Sequence, residues 1–197
     1  MRLWTSQPPE VYELLQTTGV YRCDITKSEY WPNERFMDAY NWMVDQMVYY
    51  LGPPSESWTK RLGQYPVWAW HTYNWKHRQP DLRCKGLGNM GAKEVMLEIE
   101  IPDHLVLLSD YTKWHSVLNN GFLFESIDES EFNQIYDWFD HLSNAQKSII
   151  TRASWQNIFM VYPYKHSDWA INGRYVQATF WELRKEQIIN ARAYKAR

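Results

Sequence analysis

Glu94-Val95-Met96-Leu97-Glu98-Ile99-Glu100-Ile101 alternates without a fault: Val95, Leu97, Ile99 and Ile101 fall on one side, Met96, Glu98 and Glu100 on the other. A period of two means a strand with one face turned to a core. Pro102-Asp103 turns the chain, and Leu105 to Leu108 reads as a further strand. Upstream, Phe36, Met37, Tyr40, Met43, Val44, Met47, Val48 and Leu51 recur at helical spacing from Glu34 to Leu51, and Gly52-Pro53-Pro54 stops them. Strands are also expected at Arg2–Thr5, Tyr65–Trp70 and Tyr175–Leu183, with a short helix from Val11 to Gly19 and a polar loop from about Tyr73 to Lys93.

Downstream, Asp110 is placed to cap a helix carrying Trp114, Val117 and Leu118. Phe132, Ile135, Tyr136, Phe139 and Leu142 mark another helix, and Ser143-Asn144-Ala145-Gln146 opens the next with a capping box. Strands at both ends with helices grouped between make an α+β fold: one domain over 1–197 with a helical insertion at about 125–157. From Arg184 to Arg197 runs a basic tail whose sequence leaves helix and disorder open.

The 197 residues are 45% hydrophobic and 22% charged, enough for a real core. No apolar run reaches bilayer length, and Met1 to Pro8 is not followed by the apolar stretch of a signal peptide, so a cytoplasmic protein is expected. Two cysteines, Cys23 and Cys84, are too few for a disulfide scaffold or a thiolate zinc site. The six histidines show no ligand spacing, so no metal is expected.

Charge is segregated although it sums to −2. Between Thr59 and Lys93 stand Lys60, Arg61, Lys76, Arg78, Arg83, Lys85 and Lys93 against Asp81 alone, interleaved with Tyr65, Trp68, Trp70, Tyr73 and Trp75. Cations among stacking rings suit a ligand with phosphates and bases, so Trp58 to Lys93 is a candidate surface for a nucleotide or single-stranded nucleic acid. The acidic segment from Asp128 to His141 is a candidate docking face for a protein partner.

Several motifs fail on context. Gly86-Leu87-Gly88-Asn89-Met90-Gly91 spells G-x-G-x-x-G, but a loop precedes it and a strand follows, the reverse of a dinucleotide fingerprint. Ser109, Asp110 and His115 lack the elbow of a serine hydrolase. Glu98 and Glu100 share a strand face, which solvent exposure explains more simply than paired acid–base work.

Leu3-Trp4-Thr5-Ser6-Gln7, Pro66-Val67-Trp68-Ala69-Trp70, Pro80-Asp81-Leu82-Arg83, Leu107-Leu108-Ser109-Asp110 with Trp114-His115, and Gln177-Ala178-Thr179-Phe180-Trp181 resemble an uncharacterised bacterial domain family known only as a domain of unknown function. At greater distance, the layout is similar to the ADP-ribosyltransferase toxins that modify thymidine in single-stranded DNA. Those begin with a strand carrying an aromatic or His before Thr, like Leu3-Trp4-Thr5, and end with a Gln-Ala-Glu strand, like Gln177-Ala178-Thr179.

That resemblance implies a split, bent sheet with a cleft for NAD. It implies contacts from Thr5 and Gln7 to the nicotinamide ribose or amide, cofactor contact by Trp4, stacking by Trp68, Trp70 and Trp114, and pyrophosphate contact by Arg83 or Arg61. Gln177 would orient the ribose or the acceptor, a nucleic-acid base or a protein side chain in a toxin or phage-conflict setting. Thr179 stands where the catalytic glutamate is expected, and a threonine supplies no charge to the oxocarbenium-like centre. The acid then comes from Glu182, Glu98 or Asp110, or the domain binds a nucleotide without the chemistry.

Overall fold

A computed structural model describes residues 1–27, 33–55, 64–166 and 171–197, with Arg35 as backbone alone. In chain order it has β1 (Arg2–Gln7), α1 (Pro9–Thr18), β2 (Val20–Asp24), α2 (Glu34–Leu51), β3 (Gln64–Tyr65), β4 (Val67–Tyr73), β5 (Lys93–Glu100), β6 (Leu107–Asp110) and α3 (Tyr111–Leu118). There follow α4 (Glu129–Asp140), α5 (Asn144–Ser154), β7 (Tyr164–Lys165), β8 (Ile171–Asn172), β9 (Tyr175–Phe180), β10 (Glu182–Arg184) and β11 (Ile188–Lys195). The fold is α+β. Its main sheet has six strands in the order β11-β5-β1-β4-β9-β6, every neighbour antiparallel, and β10-β2-β3 form a smaller sheet.

The alternation read in β5 is realised. Val95, Leu97 and Ile99 join Leu3, Ala69, Ala178 and Phe180 in one buried cluster, covered by Leu15 of α1. The opposite side is also buried where Met96 meets Trp4, Trp70 and Leu87. Beyond them, Trp68 and Leu107 pack into a third cluster with Trp114 of α3 and the Trp42, Met43 and Met47 side of α2. Covering a sheet on both faces leaves its central strands little contact with water.

Local chemistry sets the boundaries. Gly19, at φ 79°, ends α1 and donates its N–H to the Leu15 carbonyl. The capping box at Ser143 is present, and Asp128 caps α4 through the Glu131 N–H. Pro66 separates β3 from β4, so the aromatic strand begins at Val67 and runs on to Tyr73. The strand foreseen at Leu105–Leu108 begins at Leu107, after a 3₁₀ turn over Asp103–Leu105, and extends to Asp110.

The strand expected over Tyr175–Leu183 breaks at Trp181. That indole is buried, its N–H donates to the Gly52 carbonyl, and the chain passes from the main sheet to the small one. The basic tail is β11, an edge strand that pairs with β5 from Ile188–Ile99 to Lys195–Lys93. β2, β7 and β8 are further strands the sequence did not announce.

β4 and β5 both run antiparallel to β1, so they are parallel to each other and residues 74–92 cross over β1 between them. The crossover lies on the Trp4 face: His77 packs edge-on against Trp4 at 5.2 Å, and Leu82, Cys84 and Leu87 belong to the Trp4–Trp70 cluster.

Candidate functional site

The main sheet opens beside this crossover. β1 and β4 are in register at Trp4–Trp70. One residue further, Thr5 Oγ1 donates to the Trp68 carbonyl at 2.7 Å and accepts from Gln7 Nε2 at 2.7 Å, so side chains fill the notch. Above it lies a cleft of about 160 Å³, lined by Trp4, Thr5, Ser6, Trp68, Ala69, Trp70, Gly86, Leu87, Tyr111 and Gln177. Three strands, the start of α3 and a loop supply its walls, and rings dominate them. Trp70 lies 4.9 Å from Tyr111, centroid to centroid. Burial pushes the Tyr111 hydroxyl above its usual pKa, which keeps it a donor.

The polar groups here are short of partners. Trp70, Gln177 and Ser109 sit side by side across β4, β9 and β6. The Ser109 hydroxyl is fully buried with no hydrogen-bond partner among the described residues, as is the Trp68 indole N–H. No side chain or backbone group pairs with the Gln177 amide among the described residues. Buried polar groups are ordinarily satisfied, and exceptions mark strain, chemistry or a missing ligand.

Of the residues singled out from the sequence, the structure brings Trp4, Thr5, Trp68, Trp70 and Gln177 together in this lining, with Gln7 one hydrogen bond behind Thr5. It places the others elsewhere. Thr179 is fully buried and its hydroxyl donates to the Leu107 carbonyl at 3.2 Å. Glu182 lies on β10, between Arg22 at 2.8 Å and Arg184. Glu98 faces Arg2 at 3.4 Å.

Trp114 is buried against Trp68 and Tyr40, at 5.1 and 5.6 Å. Arg83 is exposed and grips Asp81 with a 2.6 Å bond, holding that carboxyl well below the usual range. Trp58, Lys60 and Arg61 lie outside the described residues.

Asp110 works on the backbone. One oxygen accepts from Thr112 N and Lys113 N at 2.9 and 3.1 Å, and the other accepts from the buried Gly173 N–H at 3.0 Å. Replacing it with alanine strands a helix start and a buried donor, so Asp110→Ala should cost about 3 kcal/mol. Chemical denaturation checks the figure; a loss under about 1 kcal/mol would mean the Gly173 link carries no weight. His115 turns its Nδ1 to the Tyr111 carbonyl, 3.0 Å away.

The acidic helix α4 has no buried residue and exposes Tyr136 and Trp138 to half their area or more. Both cysteines are free, and no helix among the described residues is long and apolar enough to cross a membrane.

Ser6, Leu87 and Tyr111 line the cleft without having been singled out from the sequence as site residues. Leu87 carries its signal in a glycine-rich loop, while Tyr111 is the first residue of α3 and no local pattern marks it.

The molecule is thus an α+β protein with an aromatic, polar-edged cleft over β1, β4 and β9 of its main sheet. Residues 2–189 match the model of a domain of unknown function, DUF3841, and the chain belongs to that family. No curated protein and no solved structure matches it.

Proposed function

We propose that the chain binds a nucleotide by taking its planar ring into the cleft. The observation that carries this reading is the unpartnered Gln177 amide among Trp4, Trp70 and Tyr111. Rings supply stacking faces, and an amide supplies a donor and an acceptor side by side, the pattern offered by a nicotinamide or a nucleobase edge. NAD is the first ligand to test, because the resemblance to ADP-ribosyltransferases puts its nicotinamide half beside Thr5 and Gln7.

Gln177→Ala separates binding from folding. Its amide holds no group among the described residues, so the variant should melt where the parent does, while NAD binds roughly tenfold more weakly. Intrinsic tryptophan fluorescence during an NAD titration reads the affinity. Equal saturation of parent and variant would remove Gln177, and with it this reading.

A second reading, transfer of ADP-ribose to a nucleic-acid base or a protein side chain, is favoured by the sheet opening at Thr5. The lining itself carries no carboxylate, and Glu94 reaches it only through Ser6, whose hydroxyl donates to Glu94 at 3.2 Å. That favours binding over chemistry. Labelled NAD incubated with DNA, RNA and protein extracts tests transfer directly.

A further inference from the structure

The crossover that walls the cleft begins with an unusual turn. Tyr73 and Lys76 exchange backbone hydrogen bonds at 2.9 and 3.3 Å around Asn74 and Trp75. Both central residues have positive φ, 50° and 67°, a conformation for which the second position normally holds glycine. A tryptophan held there is strained. It is also braced: Trp75 N donates to the Arg174 carbonyl at 2.9 Å, and Arg174 Nε donates to the Asn74 side chain at 3.2 Å. The result is an exposed indole at the tip of a hairpin.

From that tip the crossover carries exposed Lys76, Arg78, Lys85 and Lys93 along β1, with Arg174 beside its start and Lys195, paired with Lys93, beside its end. β1 has six residues, so the path is roughly 20 Å long. None of these six cations has a carboxylate partner among the described residues. Several cations elsewhere are paired with carboxylates: Arg22 and Arg184 with Glu182, Lys113 with Glu125, Lys147 with Asp140, Arg152 with Asp38. Lys85 immediately precedes Gly86 and Leu87 of the cleft wall.

We infer that the crossover is a track for single-stranded nucleic acid: phosphates follow its unpaired cations, one base enters the cleft, and another stacks on Trp75. A line of cations beside a flat exposed ring fits a strand with unpaired bases better than a duplex, whose bases are stacked away. The proposal rests on the cleft reading for the inserted base and on the crossover's own charges for the path.

Anisotropy of a short fluorescein-labelled oligothymidylate, titrated with the full chain at several salt concentrations, tests it. Log affinity should fall linearly with log salt, and Lys85→Ala and Lys93→Ala should each flatten the slope by about 0.7. Trp75→Gly should weaken binding roughly tenfold, while the melting temperature stays level or rises as the strain is relieved. Equal affinity for a duplex of the same sequence overturns the single-strand assignment. Unchanged slopes in both lysine variants, with NAD still bound, overturn the track and leave the cleft reading standing. Salt-dependent oligothymidylate binding that Gln177→Ala does not weaken, together with NAD binding it does not weaken, sinks the cleft reading and keeps the track.

Discussion

Gly173→Ala should cost at least about 3 kcal/mol, the largest loss expected from any single added methyl group in this chain. Gly173 has φ 70°, where an L side chain already costs about 1 kcal/mol. A Cβ built there also falls well inside the contact distance of the Val161 carbonyl oxygen, and 3.1 Å from both Pro163 N and Tyr162 C. Those are backbone atoms, so no rotamer change relieves the clash. The Gly173 N–H is also the buried donor to Asp110, so moving this turn loosens the start of α3 as well.

For a domain of this size the loss corresponds to a melting temperature lower by roughly 6 to 12 °C. Gly19→Ala and Gly91→Ala are the controls. Both glycines have positive φ, 79° and 81°, but nothing within 4 Å of the added Cβ. Thermal melts of the three variants separate backbone preference from collision. If Gly173→Ala loses no more than the controls, the approach to Val161 is looser than described.

How far this architecture can be read from residues depends on whether a residue's role is local. Asp110 was legible as a helix cap because its partners are two and three residues away. Its other oxygen reaches Gly173, and no spacing rule reports a bond across 63 positions. β5 was legible because Val95, Leu97 and Ile99 alternate against acids, whereas β11 was not. Its outer positions Asn190, Arg192 and Ala193 are exposed at a sheet edge, where pairing with β5 rather than apolar patterning makes the strand.

The same division runs through the cleft. Trp68 and Trp70 could be singled out because an aromatic strand is conspicuous, Trp4 and Gln177 only through the resemblance to ADP-ribosyltransferases. Tyr111 and Leu87 could not, because only the meeting of α3 with the crossover gives them a role. Thr179 and Ala178 show the limit of motif matching. Position along the chain put Thr179 at the catalytic place of a resemblance, but it lies two residues beyond Gln177 on the same face of β9, between Trp68 and Leu107, where its hydroxyl donates to the Leu107 carbonyl. The basic surface, likewise, was visible as a segment but not as a path. Arg174 and Lys195 join it from distant parts of the chain.

Gly88→Val should abolish most ring binding while leaving most of the fold intact, because the substitution strikes the joint between the crossover and the sheet. Glu94 is 5% exposed, accepts from Asn89 N at 3.3 Å and from Ser6 Oγ at 3.2 Å, and so pins the loop's backbone to β1. A Cβ on Gly88 would stand 2.9 Å from Glu94 Cγ and 3.0 Å from its Cδ and Oε1. The carboxylate has no cheap retreat, since leaving its donors while still buried costs free energy. The loop lifts instead. Leu87 is 7% exposed in contact with the Trp4–Trp70 cluster, and its carbonyl accepts from Tyr194 Oη at 3.3 Å, so both holds on the cleft wall are strained together. Overpacking of this kind costs about 1–3 kcal/mol of stability, yet NAD affinity should drop tenfold or more, roughly the worth of one lost wall contact and a misplaced ring. Met90→Val, two residues on and 80% exposed, should change neither quantity. Fluorescence titration beside thermal melting distinguishes the cases. Full NAD affinity in Gly88→Val would show that Leu87 closes a wall the ligand does not use, and would move the binding ring away from this loop altogether.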